Sequence, residues 1–117
     1  MGQKNETKTC NAVREPFYRR AARALKMALM LSGCGIDGNV YLLTHKTLTG
    51  NGHHCALGNL GPFGYVGLYF SGRVKETEEE AYRSLLEDFV SYPGNPLHVS
   101  SLPGLIMKLQ LMGVLDV

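Results

Sequence analysis

The chain of 117 residues has no tryptophan, only three cysteines, and 19% charged residues. Cys10, Cys34 and Cys55 are odd in number and lack any C-x-x-C spacing, which argues against a disulfide framework and for reduced thiols in a cytosol. No apolar run approaches the ~20 residues that cross a bilayer, so a membrane-spanning helix is not expected. Leu31-Ser32-Gly33-Cys34 matches a lipobox, but Lys26 leaves only residues 27–32 uninterrupted, short of the ~7–15 apolar residues of a signal core. We read that stretch as a helix ending at Gly33. No spacing in the chain announces a metal site or a catalytic signature.

What the chain does have is unevenly placed. Residues 33–72 hold ten of the fourteen glycines, three of the four histidines and two of the three cysteines. Charge is uneven as well. Residues 1–26 carry seven Lys/Arg against Glu6 and Glu15, whereas residues 27–117 carry five against eight Asp/Glu. The basic N-terminal part is suited to nucleic acid or to an acidic protein face.

Residues 1–13 read as a flexible tail and 14–117 as one α+β domain. Pro16 suits the first turn of a helix, and Phe17, Ala21, Ala24, Leu25, Ala28 and Leu29 recur at helical spacing. Arg19, Arg20, Arg23 and Lys26 share another face of that helix. Gly33-Cys34-Gly35-Ile36-Asp37-Gly38 spells G-x-G-x-x-G, but it follows a helix and precedes a strand, the reverse of the dinucleotide-binding context, and is read as a turn.

Residues 40–48 then alternate as a strand, Gly50-Asn51-Gly52 marks a hairpin turn, and residues 53–57 pair back. A loop over 58–64 leads into a third strand over 65–71. Within it, Gly67 suggests a bulge or a close packing partner. Thr77-Glu78-Glu79-Glu80 is a capping box opening a helix whose buried stripe is Ala81, Tyr82, Leu85, Leu86, Phe89 and Val90. Tyr92-Pro93-Gly94-Asn95-Pro96 stops it. Ser100 or Ser101 caps a last, strongly apolar helix, either buried or pressed against a second copy in a homodimer. The expected architecture is a three-stranded antiparallel sheet with helices packed on it, in the order α-β-β-β-α-α.

That order begins as the double-stranded RNA-binding domain does. Its last helix opens on a basic cluster set against phosphates. Here the same place reads Glu76-Thr77-Glu78-Glu79-Glu80, which repels them and excludes that family.

Two chemistries centre on the hairpin. His53 and Cys55, two apart in a strand, share a face and are the candidate zinc ligands, with His54 pointing the opposite way. With 49 opposite 52 across the turn, His45 is expected near Gly58 and not opposite His53. Cys55, with His53 or His45 as base, is the candidate nucleophile beside backbone N–H groups of the glycine loop. Against both stands the tendency of free cysteine to be buried. The preferred reading is a non-enzymatic cytoplasmic binding or regulatory protein without a cofactor. Its contacts are Arg19, Arg20, Arg23 and Lys26 on the first helix, and Asn51, Asn59, Phe63 and Tyr65 around the hairpin. A protein partner comes first, and nucleic acid at the basic helix second. The alternative is a small cysteine/histidine enzyme or a metal protein centred on Cys55.

Overall fold

The computed structural model describes residues 15–32, 40–47, 50, 52–60 and 66–116. The expected tail, Cys34 with its glycine turn, and the contact candidates Asn51, Phe63 and Tyr65 lie outside the described residues. Asn59 is described as backbone alone.

Helix α1 (Phe17–Leu31) opens behind Pro16, whose carbonyl takes the Arg20 N–H at 3.1 Å. Ala21, Ala24, Leu25, Ala28 and Leu29 are buried as the periodicity predicts, and Ala22 joins them. Small side chains on this stripe let the helix axis approach its neighbours closely. Three strands follow: β1 (Val40–Lys46), β2 (His53–Leu60) and β3 (Val66–Ser71), antiparallel and hydrogen-bonded in the order β1-β2-β3. Helices α2 (Glu78–Ser91) and α3 (Leu102–Leu111) complete the α-β-β-β-α-α architecture, an α+β fold.

Helix α2 lies against β2 and β3, α1 against α2 and β1, and α3 against α1 and α2. Cys55, Leu57 and Phe70 meet Leu25, Leu29, Leu85, Leu86 and Phe89 in one core. The Phe70 ring stands edge-on to Phe89 at 4.8 Å and links sheet to helix. Because side chains alternate along a strand, His54 and Ser71 belong to the sheet face turned away from the helices.

The hairpin differs from the sequence expectation. Lys46 faces His53 in the β1–β2 register. One step further, Thr47 donates its N–H to the Gly52 carbonyl at 2.9 Å. Thr47 also closes the loop from inside: its carbonyl accepts the Gly50 N–H at 2.9 Å and its hydroxyl the Gly52 N–H at 3.1 Å. Four residues, 48–51, therefore connect the strands instead of two. Strict counting from a 49–52 closing pair puts Ala56 opposite His45; the real partner, two residues nearer the turn, is His54.

The glycine loop also begins later than expected. Gly58, Asn59 and Leu60 remain in β2, with Gly58 and Asn59 paired to Tyr41 and Val40 on one side and to Leu68 and Gly67 on the other. Pairing on both sides outweighs the poor strand propensity of glycine and asparagine, which is itself context-dependent. The register shifts between Leu57 and Gly58, leaving Tyr69 as the extra residue of a bulge near the suspected Gly67.

The helix starts follow the local chemistry. The Thr77 hydroxyl accepts the Glu80 N–H at 3.1 Å and donates to the Glu80 carboxylate at 3.2 Å. Ser101 caps α3 by accepting the Gly104 N–H at 3.1 Å. Between these helices Asn95, 3% exposed, acts as a clamp. Its amide donates to the Val99 carbonyl at 2.6 Å, while its oxygen accepts the Val99 N–H at 3.1 Å. Asn95→Ala strands these backbone groups and is expected to cost about 2 kcal/mol in urea unfolding. A loss of a few tenths would show that water replaces the clamp.

Candidate functional site

The β1–β2 hairpin carries three of the four histidines and Cys55, and the pleat sorts them onto two faces. On the helix side, His53 and Cys55 line a crevice of ≈ 230 Å³ with Thr44, Lys46 and Glu78, the first residue of α2, and His45 and His54 also border it. Cys55 is 0% exposed. Burial first, and then the Glu78 carboxylate, push its thiol up to about 12. A thiol held in its protonated form is a packing group near neutral pH; the thiolate is the nucleophile and the metal ligand. Tyr82, beneath the same strands, is also raised, chiefly by burial and further by the charges of Cys55 and Glu78. Arg19 and a hydrogen bond with Thr44 pull it the other way.

On the opposite face, His45 and His54 stand directly across the β1–β2 ladder, with ring centroids 4.9 Å apart and planes at 61°. The His54 Nε2 lies 2.8 Å from the Ser71 Oγ. Ser71 in turn donates its hydroxyl proton toward the Gly72 carbonyl at 3.4 Å and its N–H to Asp88 Oδ2 at 3.2 Å. The structure therefore pairs His45 with His54 on one strand face and sets His53 and Cys55 on the other, with all four around the same crevice, and places His98 in another groove with Met107 and Leu111. Among the described residues no group of three or more His, Cys, Asp or Glu side chains stands together as a metal-ligand set.

The basic helix is less free than its sequence suggests. Glu15 pairs with Arg19 at 3.3 Å and takes the Arg23 guanidinium in a two-pronged contact. Arg20 folds over the Phe17 ring, 5.5 Å from its centroid, with its Nε buried. Lys26 reaches the Tyr41 ring at 5.8 Å. Arg19 and Arg23 still expose 43% and 54% of their side chains, so their charges remain in contact with solvent. Further along α1, Met27, Met30 and Leu31 are exposed at 45%, 45% and 64%. By the 3.6-residue repeat, Met27 and Met30 continue the stripe of Arg19, Arg23 and Lys26.

Sequence reasoning missed Glu15 as the partner of this stripe and Ser71 as the partner of His54. An acid four residues before Arg19 is a readable signal. The Ser71 contact joins two strands and has no local signature. Comparison with protein-family models, with curated proteins and with solved structures finds no match.

Proposed function

We propose that the chain is a small binding or regulatory protein of a reducing cytosol, acting through contact with another protein. The carrying observation is the exposed stripe of α1, cationic at Arg19, Arg23 and Lys26 and apolar at Met27 and Met30. A stripe of this kind fits an amphipathic helical segment whose acidic residues meet the arginines and whose apolar residues cover the methionines. The burial of Cys55 favours this over the cysteine enzyme, since the thiol does not reach solvent. The apolar Met27 and Met30 on the same stripe favour it over nucleic acid, whose phosphates have no use for apolar side chains. Self-association through α3 is a second reading, favoured by Met107 and Leu111, which are exposed at 62% and 79%.

Fluorescence anisotropy with an acidic amphipathic peptide and with a mixed-sequence RNA duplex separates the partner classes. Peptide binding is expected to weaken about tenfold, or about 1.4 kcal/mol, in Arg19→Glu/Arg23→Glu, and again in Met30→Ser. Duplex binding with a steep salt slope, and no peptide binding, would give the surface to nucleic acid instead.

A further inference from the structure

We propose that His45 and His54 form a two-histidine chelate for a divalent late first-row transition metal such as zinc, on the sheet face turned away from the helices. The inference stands apart from the α1 contact surface and uses none of its residues.

The backbone supplies the first condition. Residues directly opposed in an antiparallel ladder hold their Cβ atoms ~4.5–5.5 Å apart, close enough for two imidazoles to share one ion. The rings of His45 and His54 already lie 4.9 Å apart between centroids. Zinc–nitrogen bonds are ~2.0–2.1 Å, a length that two rings at this separation can share.

The second condition is a fixed tautomer. A metal-bound histidine ordinarily donates its other ring N–H to a neighbouring group, which orients the ring and raises its basicity. His54 has that partner: its Nε2 is 2.8 Å from Ser71 Oγ. The Ser71 hydroxyl also reaches the Gly72 carbonyl at 3.4 Å, and with its proton turned there its oxygen accepts from His54. In the tautomer with its proton on Nε2, His54 donates to Ser71 and leaves the Nδ1 lone pair for a metal ion. Ser71 is itself held by its N–H bond to Asp88 on α2, so the orienting group rests on the helix layer. Ser71 is a positioning residue; His45 and His54 are the ligands.

Zinc sites ordinarily take three or four protein ligands; the two here form an incomplete site whose remaining positions fall to water or to a donor from a bound partner. Copper(II) would bind more tightly than zinc by the general order of these ions.

The test is a titration of the full chain with zinc chloride, read by ¹H–¹⁵N NMR of the histidine rings and by calorimetry. It is run in parallel on the chain carrying Cys10→Ser and Cys34→Ser to remove competing thiols. One equivalent is expected to shift the His45 and His54 ring nitrogens together in both chains. His45→Ala and His54→Ala should each weaken binding at least tenfold. Ser71→Ala should weaken it about tenfold while both ring signals still respond. His53→Ala and His98→Ala should change it less than twofold. Loss of binding in the Cys10→Ser/Cys34→Ser chain, zinc shifts confined to His53 or His98, or unchanged affinity in His45→Ala would each overturn the assignment.

Discussion

Stability is expected to fall as the pH rises from 9.0, the ordinary value of a cysteine thiol, toward the value of about 12 that Cys55 has in the fold. In that window the folded chain keeps a proton that the unfolded chain has released. Unfolding is therefore favoured by up to about 1.4 kcal/mol per pH unit, and the contribution is fully present only below the unfolded value. Over the window the loss reaches about 4 kcal/mol. Tyr82 adds to it from its ordinary value of 10.0 upward, because burial raises it in the same direction.

Urea unfolding at pH 9 and 10 isolates the cysteine, since the tyrosine joins later. Cys55→Ala shifts stability at every pH through lost packing, but it should also remove the slope between pH 9 and 10. A slope that survives the substitution rejects the assignment. Iodoacetamide at pH 8 should leave Cys55 unreacted in the folded chain. Rapid labelling there would return the residue to the role of nucleophile.

Gly72→Val is expected to destabilise the fold by about 3 kcal/mol. A Cβ at Gly72 would sit 2.6 Å from the backbone nitrogen of Leu85 and 2.9 Å from the carbonyl carbon of Ser84. These are main-chain atoms of α2, and no rotamer change moves them aside. The same crossing is secured by Arg73, whose N–H donates to Ser84 Oγ at 2.7 Å, so the strand end cannot lift without breaking that bond. Gly50→Ala is the control: its backbone is left-handed at φ +77° with open space around it, and the cost there is about 1 kcal/mol. If Gly72→Val proves no worse than Gly50→Ala, the helix and strand do not touch as closely as described.

How much of this was legible beforehand differs from element to element. Thr77 and Ser101 announce their helices because a cap is chemistry between residues three apart. The stripe from Ala81 to Phe89 is legible because helical period and burial coincide. The hairpin register was not. Gly50 and Asn51 suggest a two-residue turn, but Thr47 closes a longer loop through its own hydroxyl and carbonyl. That difference of two pairing positions carries His45 to His54. The contact of Gly72 with α2 was likewise not legible. Nothing local announces it, because the helix that presses on Gly72 begins several residues further along the chain.

The amino-acid sequence by itself determined the order of elements, the faces of the helices, and the separation of His54 from His53 and Cys55. Each depends on period or on capping within a few residues. Only the tertiary structure decided that Cys55 is a protonated core thiol, that Glu15 masks part of the basic helix, and that His45 and His54 meet with Ser71 behind them. Those outcomes depend on strand register and on layers closing over one another. They are set by the summed packing of residues far apart in the chain, which local patterns do not encode.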